Sequence, residues 1–249
     1  MARKSDTLVL QSHRLPLTPS WLHFCVESVK HWSEQQGFDY QFLDDHLFEL
    51  LPPELVERYT LQKVILTDLA RLQWLQKYLI AGYETVVWCD ADFLIFHPDE
   101  FNLPDSNYAV GREVWIQKDQ NSQLRVYRKV HNAFLMFRQA NVFLDFFTET
   151  AEKLLLKNTG RVPPQFIGPK LLTALHNLVD FPVMETAGML SPLVIRDIIS
   201  GGGNALDLFR KHSSVPIAGA NLSCSVAGSE GLSEQDIELM INMLVGAFS

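Results

Sequence analysis

The stretch Thr85-Val-Val-Trp-Cys-Asp-Ala-Asp-Phe-Leu-Ile-Phe96 says most about the fold of this chain. Five mostly apolar residues lead into two carboxylates one residue apart, Asp90 and Asp92. A β-branched apolar run predicts a buried strand, and ionised carboxylates at its end must find partners. Mg²⁺ and Mn²⁺ prefer oxygen ligands and fill their remaining positions with water and substrate phosphates, so the pair indicates a divalent cation and a nucleotide-diphosphate ligand. The alternative is an Asp pair that only caps the next turn.

Segments upstream of this strand alternate between strand and helix patterns. In chain order they predict a strand at Thr7–Gln11, a helix from the N-cap pair Thr18-Pro19 to about Gln36, a strand at Asp39–Leu43, and a helix from about Leu61 to Ile80 that stops at Gly82. A strand, a helix and a strand in succession form a βαβ unit. We therefore expect an α/β fold that contains parallel strands.

The pattern changes downstream of His97-Pro98. It predicts strands at Tyr108–Gly111, around Trp115 and at Asn132–Phe137, a polar insertion at Lys118–Gln123, a helix at Val142–Leu156, a short helix after Gly168-Pro169, and a last helix from a Ser233–Asp236 capping box to about Val245. No repeat or domain linker is evident, which predicts a single domain over residues 1–249.

Composition limits the possible functions. The net charge is −8 and no Lys/Arg cluster occurs, which argues against binding to a nucleic-acid backbone. No apolar stretch reaches the ~20 residues of a membrane span, and the charged start Met1–Asp6 is not typical of a secretory leader. The three cysteines, Cys25, Cys89 and Cys224, are widely spaced, as expected for reduced thiols in a cytoplasmic protein.

Asp68 and Arg71 lie three residues apart in the helix that precedes the acidic strand, so their side chains leave the same face. Taken alone, they predict a surface ion pair that contributes less than ~1 kcal/mol. The combination of this pair with the acidic strand is more specific.

Thr67-Asp68-Leu-Ala-Arg71, then Gly82, then Asp90-Ala-Asp92 resembles the core of GT-A glycosyltransferases with an Asp-x-Asp sugar-binding region. That group includes initiating α-mannosyltransferases, capsular-polysaccharide transferases and the glucosyltransferase domains of large bacterial toxins. The resemblance is strongest over residues 60–96. It implies a Rossmann-like mixed sheet flanked by helices, with a nucleotide-sugar half at about residues 1–100 and an acceptor half at about 101–249.

The resemblance assigns roles to the matching residues. Asp68 and Arg71 would bind the donor sugar, Asp90 would contact sugar or ribose, and Asp92 would ligate Mn²⁺ or Mg²⁺. Arg71, Asp90 and Asp92 are thereby the expected catalytic residues, with Asp90 as a second metal ligand. These roles are chemically sensible, because an arginine can fork onto two oxygens and a metal can neutralise a departing diphosphate.

Other positions match less closely. Gln11 and Ser12 are candidates for contacting the base or ribose, although a plain strand-to-loop transition is the favoured explanation of both. Asn132 and Gly168 correspond to the acceptor side, where the alternatives are a turn cap and a helix start. The group's C-terminal metal ligand near a Ser-Trp pair is not matched, since no Ser-Trp occurs in the last third of the chain. His212 is the one histidine after His176 and hence the candidate for that metal position, although a partly exposed histidine at a helix end is the favoured explanation.

The resemblance implies metal-dependent transfer of a sugar from a UDP- or GDP-sugar to a hydroxyl acceptor, with retention of configuration. The acceptor would be a glycan, a lipid-linked molecule or a small molecule. One alternative is a haloacid-dehalogenase-type phosphatase, whose first motif Asp is a nucleophile. Leu94 stands where those enzymes have Thr or Val. The other alternative is a non-catalytic nucleotide-sugar-binding module on the same fold.

Overall fold

The computed structural model describes residues 5–228 and 230–246 of the chain. Its strands are β1 (Thr7–Ser12), β2 (Asp39–Leu43), β3 (Thr85–Cys89), β4 (Phe93–Ile95), β5 (Tyr108–Lys118), β6 (Leu124–Arg138), β7 (Val183–Met184), β8 (Ala187–Met189) and β9 (Gly219–Asn221). Its α-helices are α1 (Leu22–Gln35), α2 (Pro53–Arg58), α3 (Lys63–Ile80), α4 (Val142–Lys157), α5 (Leu171–His176), α6 (Pro192–Ile199), α7 (Asn204–His212), α8 (Cys224–Ala227) and α9 (Glu234–Gly246). A 3-10 helix at Asp45–Leu50 and a π-helical turn at Phe166–Lys170 complete the described elements.

Six strands form a mixed sheet in the order β2-β1-β3-β6-β5-β7. β1 is parallel to β2 and β3, whereas β6 is antiparallel to β3 and β5. Leu8 and Leu10 of β1 pack in the same cluster as α3, while Val9 packs with Trp32 of α1 on the opposite face. The chain thus passes from β1 to β2 through α1 on one face of the sheet, and it reaches β3 through α3 on the opposite face. In open α/β sheets this reversal creates a ligand crevice at the carboxyl ends of the two central strands, here β1 and β3.

The long hairpin of β5 and β6 contains a bulge. Val110 pairs with Leu135, but the next residue, Gly111, pairs with His131, so β6 carries extra residues from 132 to 134 at this point. The same residues continue to pair with β3 on the other side, where the Asp90 amide donates to the Ala133 carbonyl at 2.8 Å. The bulge therefore brings residues 132–134 to the carboxyl end of β3.

A second, three-stranded sheet has the order β4-β9-β8. Phe93 of β4 pairs with Asn221 of β9, and the Leu222 amide donates to the Asp92 carbonyl at 2.9 Å. This pairing places the end of β9 beside Asp92. Helices α6, α7 and α9 pack in one apolar cluster with Leu94 and Phe96 of this region.

The expected α/β class, with a mixed sheet flanked by helices, is confirmed. The predicted strand at Asp39–Leu43 and the Ser233–Asp236 capping box are also confirmed. The helix predicted from Thr18-Pro19 begins instead at Leu22, because a tight turn bonded from the Leu22 amide to the Pro19 carbonyl precedes it.

Three further outcomes concern the rest of the sequence. The polar residues Lys118–Gln123 contain the turn of one continuous hairpin and do not separate independent strands. Cys25 and Cys89 are buried, and neither they nor Cys224 form a disulfide. No helix among residues 5–228 and 230–246 is long and apolar enough to cross a membrane. Residues 1–4 of the charged start lie outside the described residues.

Candidate active site

The guanidinium of Arg71 joins two carboxylates. Its Nη2 atom is 3.2 Å from Oδ1 of Asp68, and Nη1 is 3.0 Å from Oδ1 of Asp90. Nη1 also donates to the carbonyl of Asn132 at 2.7 Å. Asp68 and Arg71 are only 4% and 5% exposed on the buried face of α3. The surface ion pair that is one explanation of their spacing is therefore wrong, since burial makes each charge depend on its partner.

Asp90 occupies the position immediately after β3, and one of its carboxylate oxygens is fixed. Oδ1 accepts from Nε1 of Trp88 at 2.7 Å, besides its contact with Arg71. The Arg71 guanidinium carbon lies 5.3 Å from the centre of the Trp88 ring, a cation–π distance. The Asp90 side chain is 25% exposed, and no group among the described residues donates to Oδ2. Asp90 can thus offer one carboxylate oxygen to a ligand.

Gln11 supports the main chain of Asp90. It is fully buried at the end of β1, its Nε2 donates to the Asp90 carbonyl at 3.1 Å, and its Oε1 accepts from the Tyr40 hydroxyl at 3.0 Å. Both ends of the amide are therefore engaged within the protein. The next residue, Ser12, is half-buried, with Oγ 3.4 Å from the Asp44 carbonyl, and stands closer to solvent.

Asp68 is enclosed by Asn132 and Gly168. Asn132 donates from Nδ2 to Oδ1 of Asp68 at 2.8 Å. A Cβ atom on Gly168 would lie 2.3 Å from Oδ2 of Asp68 and 2.8 Å from Nδ2 of Asn132, so only glycine fits there. Burial raises the pKa of Asp68 to about 6, although the charge of Arg71 and the Asn132 hydrogen bond oppose that rise. Asp68 is ionised at neutral pH because Arg71 accompanies it.

Asp92 lies in a different set of contacts. Oδ1 accepts from Nδ2 of Asn221 at 2.5 Å, and Oδ2 accepts from the amide of Cys224 at 2.9 Å. Burial, followed by the negative charge of Asp90, raises the pKa of Asp92 to about 6. No lysine or arginine is among the described partners of this carboxylate, so its contacts orient it without neutralising it.

The structure thus brings together most of the predicted site residues. Asp68, Arg71, Asp90, Asn132 and Gly168 form one contiguous cluster, and Asp92 follows it along the chain. Within residues 5–228 and 230–246, no three His, Cys, Asp or Glu side chains form a group suited to a metal. Asp90, Asp92 and His212 are therefore not brought together as a three-residue metal site in the described part of the chain. His212 is exposed at the C-terminal end of α7.

Two contributors are not evident from the sequence. Trp88 belongs to the buried apolar strand β3, yet its indole N–H donates to Asp90 and fixes that carboxylate. Asn221 holds Asp92 from 129 residues away in the chain. A signal for Asn221 exists in principle, because the apolar run Ile217–Ala220 ends in a polar residue, as does the run before Asp90.

No protein-family profile matches the chain. No curated protein matches it in sequence. Several solved structures resemble it in shape. A glycosyltransferase involved in glycosylation of the major capsid of PBCV-1 aligns with a TM-score of 0.47 at 10% identity, covering 95% of this chain and 98% of that chain.

The galactosyltransferase LgtC, in complex with donor and acceptor sugar analogues, aligns with a TM-score of 0.41 at 14% identity, covering 94% and 95% of the two chains. A 4-diphosphocytidyl-2C-methyl-D-erythritol synthase from Anaerococcus prevotii aligns with a TM-score of 0.38 at 8% identity, covering 72% and 86%.

Proposed function

We propose that the chain is a divalent-metal-dependent glycosyltransferase that uses a UDP- or GDP-sugar as donor and a hydroxyl group as acceptor. One observation carries the proposal: a buried Arg71 is held between Asp68 and Asp90 where the strand order reverses, with Asp92 directly beyond. That edge is where open α/β sheets bind their ligands. The same four residues match the Asp-x-x-Arg and Asp-x-Asp pattern to which the GT-A resemblance gives donor-binding roles.

Asp90 and Asp92 fit a Mn²⁺ or Mg²⁺ ion bound together with a diphosphate. Such ions often take only one or two protein carboxylates, so a third side-chain ligand is not required. Each Asp92 oxygen accepts one hydrogen bond and retains a second lone pair for a cation. The raised pKa of Asp92 is consistent with a site that gains from added positive charge. When bound, the metal would supply charge stabilisation to the departing diphosphate.

The roles of the chain's own residues follow from their contacts. The Arg71 N–H groups are directed at Asp68, Asp90 and the Asn132 carbonyl, so in our proposal Arg71 first holds the carboxylates in place. Asp90, with Oδ2 accessible, would accept a hydroxyl of the donor sugar or ribose. Gln11 would position the main chain that carries Asp90, and Ser12 is nearer the solvent side for a ribose or base contact.

Two finer parts of the proposal rest on the resemblance alone. The first is retention of configuration at the transferred sugar. The second is an acceptor region that includes Asn132 and Gly168 and that takes a glycan, a lipid-linked molecule or a small molecule.

Calorimetric titration of UDP and then GDP, with and without Mn²⁺, tests the donor site. We expect binding that requires Mn²⁺ and is lost in Asp92→Asn. Asp180→Asn is the matched control, because it removes the same charge from a fully exposed position. Nucleotide binding that is equally strong in the Asp92→Asn variant would contradict the proposal.

The binding result is followed by an assay of sugar release from the matching UDP- or GDP-sugar. Release that depends on Asp92 supports a transferase. Metal-dependent nucleotide binding with no release or transfer would favour the non-catalytic module. Absence of binding, combined with magnesium-dependent hydrolysis of a phosphomonoester, would favour the phosphatase.

A further inference from the structure

Helices α6, α7 and α9 surround a cavity that the proposed donor site does not use. Its volume is about 610 Å³, within the range of small-molecule sites in proteins. Its lining is mainly apolar and includes Phe96, Leu190, Leu206, Phe209, Ile217 and Leu244. Val215 and Met243 also line it and are 40% and 38% exposed, so the cavity reaches the protein surface. Protein interiors normally pack closely and contain few large voids. An apolar cavity of this size is therefore suited to an apolar ligand.

One cation stands at this cavity. Arg210 is the only charged residue among the lining residues that the structure describes. It is exposed on α7, and no carboxylate of the described residues pairs with it. Ser213 and Ser214 follow it on the lining. Since the whole chain carries a net charge of −8, a cation without a paired carboxylate beside an apolar cavity provides local attraction for an anion.

We propose that this cavity binds the alkyl chain of an amphiphile whose phosphate headgroup pairs with Arg210. The apolar walls favour a saturated chain, with about a fourfold gain in affinity for each methylene that is fully buried. The guanidinium favours a phosphate, because it can donate two parallel hydrogen bonds to it.

The proposed amphiphile cavity is connected to Asp92 through two residues, Leu190 and Asn221. Leu190 lines the cavity, and its amide donates to the Asn221 carbonyl at 2.9 Å. The Asn221 side chain in turn holds Asp92. A bound alkyl chain would therefore lie next to the strand that positions Asp92. The binding itself does not depend on the proposed sugar transfer.

Calorimetric titration of dodecyl phosphate below its micelle concentration tests the inference, with neither nucleotide nor metal present. We expect saturable binding of one molecule per chain. Butyl phosphate, with the same headgroup, and dodecyltrimethylammonium, with the same chain and opposite charge, should each bind at least about tenfold more weakly. Failure here would leave the donor-site titrations unaffected, so the two proposals can fail separately.

Two variants locate the site. Arg210→Glu should weaken dodecyl phosphate binding by about tenfold or more. Lys211→Glu is the control, because it changes the charge equally at a residue that does not line the cavity, and it should alter the affinity by less than about twofold. Leu244→Trp should weaken binding by about tenfold or more, because the larger side chain takes up space that the alkyl chain needs. If circular dichroism shows that this variant fails to fold, Ile217→Trp replaces it. Absence of saturable binding, equal effects of the Arg210 and Lys211 variants, or equally tight binding of the ammonium amphiphile would each overturn the inference.

Discussion

Replacing Arg71 with methionine tests whether this residue is the element that makes the acidic cluster possible. Methionine fills much of the same volume but carries no charge. In Arg71→Met, Asp68 and Asp90 lose their shared cation, and the buried Asn132 carbonyl loses the donor that lies 2.7 Å away. A buried ion pair that loses one partner leaves an uncompensated charge, which is far more costly than the loss of an exposed pair.

The expected magnitude follows from two terms. Burial raises the pKa of Asp68 to about 6 even with Arg71 beside it. Without Arg71 the pKa of Asp68 rises further, and keeping this buried carboxylate ionised at neutral pH costs about 1.4 kcal/mol for each pH unit of that rise. The unpaired Asn132 carbonyl adds about 1–3 kcal/mol. The free energy of unfolding should therefore fall by about 3–5 kcal/mol, in agreement with buried ion pairs that lose one partner.

The loss should depend on pH in a defined direction. In parent and variant alike, folded Asp68 binds its proton more tightly than the unfolded chain does, but only the variant continues to lose stability as the pH rises above about 6, because Arg71 no longer favours the ionised form. At about pH 5.5 Asp68 is already mostly protonated in the parent protein, and the loss should shrink to about 1–3 kcal/mol from the carbonyl alone.

Urea denaturation in EDTA, at neutral pH and at about pH 5.5, measures the loss in the free energy of unfolding. Arg125→Met is the control, because its pair with Asp119 is exposed and should contribute less than ~1 kcal/mol. Adding Asp68→Asn to Arg71→Met should restore the part of the stability that the single variant loses with rising pH, because the buried carboxylate is then absent. A loss below ~1 kcal/mol, or one that does not change with pH, would show that solvent reaches the cluster and would refute the reasoning.

Three further predictions concern Gly168 of the cluster and two residues outside it, His131 and Asn221. Burial lowers the pKa of His131 to about 4, so the free energy of unfolding should fall by about 3 kcal/mol as the pH drops from about 6.5 to 4. The urea midpoints of His131→Gln should not show this fall. The same dependence of the midpoint on pH in the variant and the parent would contradict the prediction. Gly168→Ala should cost about 1–3 kcal/mol and weaken nucleotide binding, whereas Gly160→Ala, where a Cβ meets nothing, should be neutral; equal unfolding midpoints would disprove the close contact. Asn221→Ala should raise the Mn²⁺ concentration for half-maximal thermal stabilisation about tenfold or more, and an unchanged titration would remove Asn221 from the site.

The central part of the fold is predictable from sequence because its signals are local. The strand at Thr85–Cys89 is an uninterrupted apolar run, and α3 repeats its apolar residues at helical spacing, so both appear in the structure where the pattern places them. The start of α1 is less predictable, because Thr18-Pro19 has the residue types of a helix cap although the chain there forms a separate turn. Residue type alone does not distinguish the two.

The site is predictable only where its residues are close in sequence or match a known motif. Asp68, Arg71 and Asp90 meet both conditions, and the structure places them in contact. Asn221 meets neither, since its relation to Asp92 depends on pairing between β4 and β9 across more than half of the chain. The exposure of His212 at a helix end, in contrast, is expected from the polar residues around it, and the structure confirms it.

The bulge in β6 has a consequence for how this site could be gained or lost. Residues 132–134 lie outside the register of β5, yet within them are the Asn132 groups that contact Asp68 and Arg71 and the Ala133 carbonyl that pairs with Asp90. The hairpin beyond the bulge depends on pairs such as Trp115 with Tyr127, which do not involve these residues. A short deletion or insertion at this point would therefore change the groups at the sheet edge while the hairpin remained paired, so that a relative of this chain would keep the hairpin after losing the contacts to Asp68, Arg71 and Asp90.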